Sequence, residues 1–334
     1  MNTLDYSFII PVYNRPEEID ELLQSFLNLE GKIYYEIVIV EDGSTETSKN
    51  IINKYLKDLN ISYFFKENSG PGDSRNFGMQ HAKGNYYIIL DSDVILPINY
   101  LVEVDNALKN EFYHCFGGPD DADQSFSNLQ KAINFAMTSF LTTGGIRGSD
   151  KAEKNFQPRS FNLGLSKEAF TATKGFGKIH PGEDPDLILR LWKMGYKTTF
   201  IKDAKVYHKR RISWKKFYRQ VYKFGSVRPI LNHWHPTYKK LTYWFPTVFI
   251  IGFLSSIIGL LFGFLYPIFA YMVYFFVIFI SALITTKSVI IATKSVFAVS
   301  VQFYGYGKGF LRSTLKLCLN KKPIEEIFPN LFFK

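Results

Sequence analysis

Cysteine is nearly absent from this sequence. Cys115 and Cys318 are its two cysteines, far apart in 334 residues. That excludes a disulfide framework and a cysteine-based metal centre, and it fits a reducing compartment. Acidic residues are fewer than basic ones, 30 Asp and Glu against 40 Lys and Arg, for a formal charge of +10. The imbalance is local. From Lys202 to Lys240 there are twelve Lys or Arg and one acid, Asp203; from Leu241 to Thr286 there is no charged residue at all. A basic stretch beside an uncharged one points to anionic lipid, whereas nucleic acid would call for a basic, aromatic-laced soluble face. The start of the sequence lacks a basic segment leading into an apolar core, so no signal peptide is expected, and the soluble part is expected in the cytoplasm. No internal repeat and no low-complexity tract is present.

Apolar residues are plentiful, at 46%, with 17% aromatic. Trp244–Tyr266 and Ile268–Thr286 are each about long enough to cross a hydrocarbon core, which takes roughly 20 helical residues. Leu265-Tyr266-Pro267 separates them as a turn, giving a transmembrane helical hairpin. Lys239 and Lys240 before it and Lys287 and Lys294 after it put both outer ends on the cytoplasmic side. Ser288–Tyr304 contains Lys294 and reads as an interfacial or re-entrant helix rather than a third span. Arg312, Lys316, Lys321 and Lys322 read as a basic amphipathic piece on the anionic leaflet. The expected divisions are a catalytic domain over 1–225, a basic juxtamembrane segment over 226–245, the hairpin plus interfacial helix over 246–310, and a basic tail over 311–334.

Before the apolar region, strand and helix signals alternate. Tyr6–Val12, Tyr35–Val40, Ile61–Phe65 and Tyr86–Leu90 are short apolar runs, with helical spacing over Glu17–Leu29, Ser48–Leu59 and from Ser74. Ser127–Leu141 and Asp186–Met194 read as helices, Phe161–Phe170 as a strand turning into a helix, and Thr198–His208 as one more strand. Such alternation predicts an α/β fold with a mostly parallel sheet, and chemistry at the carboxyl ends of its strands. Asp42 and Asp91 fall at such ends.

Asp91-Ser92-Asp93 places two carboxylates directly after a strand, where they can share Mg²⁺ or Mn²⁺ with diphosphate oxygens. Alone, this tripeptide is a common solvated turn. Its neighbours are Ser-Phe-Ile-Ile-Pro-Val-Tyr-Asn-Arg-Pro at 7–16, Val-Ile-Val-Glu-Asp-Gly-Ser-Thr at 38–45 and Asn-Ser-Gly-Pro-Gly-Asp-Ser-Arg-Asn-Phe-Gly at 68–78. In this order and spacing, over roughly residues 5–225, the set resembles the family 2 glycosyltransferases of the GT-A fold, Rossmann-like and inverting.

The resemblance implies roles. Pro11, Tyr13 and Asn14 would line a nucleotide base pocket. Asp42 would accept the N3–H of a uracil-like base, and Glu41 stands where the family often has Asp. Arg75 would contact diphosphate or the pocket acids. Asp91 and Ser92 would face ribose or donor sugar. Asp93 would hold the metal, with Asp91 and His208 as further ligands. In Gly182-Glu183-Asp184, Asp184 would be the general base, with Glu183 the next candidate; the bland alternative is an N-cap on the following helix. Asn162, Arg159 and Trp214 would shape an acceptor site, and the Gly-rich loop 142–148 would cover it. Position 208 is His where processive synthases carry Gln, which argues against polymerisation.

The reaction implied is transfer of a sugar from a UDP- or GDP-linked donor to a hydroxyl of a glycan or lipid-linked glycan at the cytoplasmic membrane face. One alternative is a polyprenyl-phosphate glycosyltransferase, in which the anionic acceptor needs no base. Another is a non-catalytic membrane scaffold that keeps a nucleotide-sugar-binding domain. No nucleic-acid partner is expected.

Overall fold

The computed structural model describes residues 4–121, 126–144, 156–208 and 213–333, with the side chains of 120, 121 and 208 outside that description. The expected lid over 142–148 therefore lies largely outside the described residues. Two compact units emerge, one formed by 1–123, 150–209 and 332–334, the other by 124–149 and 210–331.

In the first unit the strands are β1 (Tyr6–Val12), β2 (Tyr35–Asp42), β3 (Ile61–Lys66), β4 (Tyr86–Leu90), β5 (Val94–Ile95), β6 (Cys115–Gly117), β7 (Asp120–Asp121), β8 (Asn162–Ser166), β9 (Thr198–Phe200) and β10 (Val206–His208). Its helices are α1 (Pro16–Leu27), α2 (Lys49–Ile52), α3 (Pro71–His81) and α4 (Tyr100–Asn110); after α5 (Asn128–Thr138) and α6 (Phe140–Thr143), which belong to the second unit, come α7 (Lys167–Thr173) and α8 (Glu183–Lys193). Seven strands form one sheet in the order β3-β2-β1-β4-β8-β6-β9, and β5-β10-β7 form a small second sheet. β1 pairs in parallel with both β2 and β4, so the chain leaves β1 in one direction and returns to its other edge. A ligand crevice is expected at such a switch point, outside the carboxyl ends of the strands. β8 runs antiparallel to β4, with Leu90 opposite Asn162, and so brings residues 159–161 to that same end.

Both faces of the sheet are covered, so its central strands carry apolar residues on both sides. Phe8 and Ile10 point to the side of α1 and α4, where the Phe8 ring meets Phe26 edge-on at 4.7 Å. Ile9, Val38 and Val40 point to the side of α3 and α8, beside Met79, Leu187 and Leu191. Burying each such side chain contributes about 1.5–3 kcal/mol. The expected helix Ser48–Leu59 is helical only over Lys49–Ile52, continuing as successive turns to Leu59. Thr198–His208 is two strands, because Lys202 and Asp203 turn the chain between them.

The second unit holds α5, α6, α9 (Trp214–Trp234), α10 (Phe245–Leu260), α11 (Tyr266–Thr286), α12 (Val289–Leu319) and the short α13 (Ile324–Ile327). Residue 225 lies in the interior of α9. Among the described residues three helices are long and apolar enough to cross a membrane: Leu241–Leu260, Tyr266–Thr286 and Val289–Leu319. The third covers the stretch Ser288–Tyr304, expected as an interfacial or re-entrant helix, and runs beyond it to Leu319. Ser288 caps it by accepting from the Ile291 N–H, and it continues through Gly305, Gly307 and Gly309 for 31 residues. Glycine costs roughly 1 kcal/mol in a helix interior. Close packing supplies the compensation. A Cβ on Gly309 would stand 2.3 Å from the Tyr222 carbonyl oxygen of α9, and one on Gly305 would stand 2.6 Å from Val221 Cγ2. Gly307 faces α10 instead, where a Cβ would stand 2.9 Å from the Pro246 carbonyl oxygen. Small residues four apart let two helices approach in this way.

Gly309→Leu should force α9 and α12 apart. We expect a melting midpoint in detergent lowered by several degrees, corresponding to about 1–3 kcal/mol of overpacking. Gly259→Ala, whose Cβ would meet nothing nearer than 3.5 Å, should melt like the parent. Equal midpoints for Gly309→Leu and the parent would refute the close approach.

Candidate active site

The crevice at the ends of β1, β2 and β4 is built first from its loops. Asn14 takes φ +53°, and its Oδ1 accepts from the Thr45 and Glu46 backbone N–H groups and from the Thr45 hydroxyl. It ties the turn after β1 to the turn after β2. Glu41 is fully buried and accepts from the Ser44 hydroxyl, the Ser48 N–H at 2.8 Å and the Tyr63 hydroxyl at 3.3 Å. Its carboxylate holds the loop in shape. Asp42 accepts from Lys66 Nζ at 2.7 Å, and from the Ser69 and Gly70 N–H groups at 3.0 Å each. Pro11 sits in β1 opposite Val40, and the Tyr13 ring beyond it is 52% exposed, open to a planar ligand.

Arg75 follows from this loop, one turn into α3. Its Nη2 donates to Asp91 Oδ1 at 2.8 Å and its Nη1 to Glu183 Oε1 at 3.3 Å, while the guanidinium lies over the Phe176 ring at 5.3 Å. It is buried, and its Nε has no partner among the described residues. Burial pulls its pKa down, but Asp91, Asp184 and Glu183 together outweigh that and raise it, so it stays charged. One cation thus joins the end of β4 to the start of α8.

Gly182, with φ +124°, is the N-cap of α8 and makes no side-chain cap bond. Asp184 is therefore not the cap. Its Oδ2 accepts from the Ser160 N–H at 3.2 Å, while its Oδ1 is shielded from solvent with no partner among the described residues. Burial and the adjacent Glu183 charge push its pKa up to about 6 against the opposing pull of Arg75 and Arg159. Burial also presses Glu183 upward, but the His180 hydrogen bond at 3.0 Å, the His180 charge and Arg75 prevail and hold it below the usual carboxylate range. Side by side, one carboxylate is fixed as an anion and the other is poised to take a proton.

Asp91 is about a third exposed and Asp93 partly so. Both are hard oxygen donors, as Mg²⁺ or Mn²⁺ requires, and two protein ligands leave positions for diphosphate and water. Among the described residues no third His, Cys, Asp or Glu completes a cluster with them. The His208 backbone pairs with Val94, but its side chain lies outside the description. Ser92 is buried, its hydroxyl donating to Glu18 Oε2 at 3.1 Å. Arg159 is close enough to act on the Asp184 charge. Asn162, expected to bind an acceptor, is fully buried. Its Oδ1 accepts from the Tyr100 hydroxyl and its Nδ2 donates to the Ala204 carbonyl, each at 2.7 Å, which leaves no surface for a ligand. Trp214 belongs to the second unit, where it packs edge-on against Phe297.

Sequence reasoning passed over His180, Lys66 and Arg15. Arg15 bonds Glu18 at 2.6 Å, and the charges of Asp93 and Asp91 act on it as well. The position of His180, three residues before Glu183, was the available signal.

The family model described as glycosyl transferase family 2 matches residues 7–171. An uncharacterised glycosyltransferase of Rickettsia bellii is 41% identical over 95 residues, 28% of this chain and 14% of that protein. A GalNAc(5)-diNAcBac-PP-undecaprenol beta-1,3-glucosyltransferase of Campylobacter jejuni is 25% identical over 193 residues, 56% of this chain and 59% of that protein. The chain thus spans less than two thirds of either relative. Among solved structures, the Pyrobaculum calidifontis mannosyltransferase PcManGT, in complex with GDP-Man and Mn²⁺, superposes with a TM-score of 0.61 at 15% identity, over 93% of this chain and 86% of that one. At that identity the likeness shows the fold, which is GT-A.

Asn162→Ala should lower the melting midpoint, because two buried partners lose their hydrogen bonds at about 1–3 kcal/mol each. An Asn162→Ala protein that melts like the parent would contradict this structural assignment.

Proposed function

The chain belongs to glycosyl transferase family 2, and from that premise we propose that it moves a sugar from a UDP- or GDP-linked donor to a hydroxyl of a glycan or lipid-linked glycan, with inversion. The observation that carries this reading is the shielded, unpartnered Oδ1 of Asp184 beside Glu183, which His180 and Arg75 hold below the usual carboxylate range. The donor lies in the crevice at the ends of β1 and β4, with its base beside Pro11, Tyr13 and Asp42. Asp184 takes the proton of the acceptor hydroxyl. That oxygen bonds to the anomeric carbon as the bond to the diphosphate oxygen breaks on the opposite face, and the diphosphate departs with the electron pair. Mg²⁺ or Mn²⁺, held by Asp93 with Asp91, would offset the charge on the leaving diphosphate. Arg75 sets the distance between those carboxylates and the base.

A hydroxyl acceptor is favoured over a polyprenyl phosphate because a phosphate is already anionic and makes no use of a base. The acceptor class also follows the Campylobacter relative, whose name carries an undecaprenol-linked glycan. The nucleotide and metal follow PcManGT, solved with GDP-Man and Mn²⁺. The apolar helices would keep the enzyme on the membrane that holds such acceptors, with catalysis on the cytoplasmic face and the basic stretch around 214–240 on anionic lipid. Confinement to the same leaflet raises the effective acceptor concentration.

The test is nucleoside diphosphate release by the full chain across a panel of donors. Asp184 must be ionised to act, so kcat/KM should rise with pH through about 6 and level off above it. Asp184→Asn should lower kcat by about 10²–10⁴. Glu183→Gln removes the like charge that raises the Asp184 pKa, so the acid limb should move to lower pH by about one unit. Full turnover by Asp184→Asn would overturn the hydroxyl reading in favour of a phosphate acceptor.

A further inference from the structure

One aromatic residue, separated in sequence from the catalytic unit by all the apolar helices, is seated in the first unit. Phe332 bridges Ile179 as an antiparallel pair, and the Phe333 N–H donates to the Lys178 carbonyl at 3.1 Å. The Phe333 ring lies against Gly70, where a Cβ would be 2.3 Å from its Cδ2. The same ring stands 5.6 Å from the His180 ring, centroid to centroid. It therefore touches two loops that are distant in sequence, and each loop ends on the candidate site. Gly70 gives its N–H to Asp42 Oδ2 at 3.0 Å and, with φ +95°, caps the helix that carries Arg75. His180 holds Glu183 Oε1 at 3.0 Å.

We propose that Phe333 is a positioning residue for the transfer reaction, resting on the reading given above. It clamps the Asp42–Gly70 loop to the Lys178–Glu183 loop. The base-binding side and the proton-accepting side of the crevice are then held at one separation. The contact works through geometry and touches no substrate. Gly70 is the residue the clamp requires, since any side chain there would displace the ring. Phe333 is partly exposed and stands outside both buried clusters of the sheet, so it adds little as core filling.

The test uses the full chain in detergent, comparing the parent with Phe333→Ala and Phe333→Tyr by amide hydrogen exchange and by steady-state kinetics. Phe333→Ala should exchange roughly tenfold faster over both 67–72 and 177–183, with no change over 100–110. Its kcat/KM should fall roughly tenfold, mainly through kcat, since a small misplacement of reacting groups costs rate. Its melting midpoint should stay within a few degrees. Phe333→Tyr, which keeps the ring, should restore both readouts. Exchange that rises in neither loop, or in only one, overturns the clamp. Faster exchange in both loops with unchanged kcat/KM overturns its role in the reaction. A parent that turns over no nucleotide sugar would sink the proposed function, and the exchange comparison would still decide the clamp.

Discussion

The Arg75 guanidinium is the constraint around which the candidate site is organised. Taking a cation out of water costs several kcal/mol, and only close, well-oriented anions offset that. Arg75 finds them in Asp91 at 2.8 Å and Glu183 at 3.3 Å. These anions come from the end of β4 and the start of α8, which are 92 residues apart by their numbers. Neither carboxylate can relax away without stranding a buried charge. The separation between the Asp-x-Asp turn and the Glu-Asp pair is thus set electrostatically, before any ligand arrives.

The same cation divides the labour between two adjacent carboxylates. Glu183, held by Arg75 and His180, stays ionised. Its charge and burial lift the neighbouring Asp184 to about 6, where a carboxylate is basic enough to accept a proton near neutral pH. In the proposed reaction the orphaned Oδ1 of Asp184 then has a use. A buried acceptor without a partner is destabilising in a purely structural helix start, but it is what an incoming hydroxyl requires.

Much of this was legible in the sequence where a single periodicity was at stake. The strands before Asp42 and Asp91 carry unbroken apolar runs, Ile37–Val40 and Tyr86–Leu90, because both sheet faces are covered, and that pattern reads directly. Side-chain direction did not read. Ser92 and Asn162 look like ligand-binding residues beside a strand, yet one bonds Glu18 and the other spans Tyr100 and Ala204. Glu41, Asn14 and much of Asp42 spend their hydrogen bonds on building the loops. His180 had no role assigned from the sequence, and Phe333 escaped notice because its partners are brought to it by tertiary contacts. The extension of α12 beyond Tyr304 escaped for the opposite reason: its glycines weaken the local signal, and only packing against α9 and α10 compensates.

The most direct measurement is the pH dependence of nucleoside diphosphate release by Arg75→Met, compared with the parent chain under the same donor and metal conditions. Arg75 lowers the Asp184 pKa, so its removal should move the acid limb of kcat/KM upward from about 6. The donor KM should rise as well, because Asp91 loses its fixed partner. A profile and a donor KM identical to those of the parent would contradict the view that one buried arginine couples the two halves of the site.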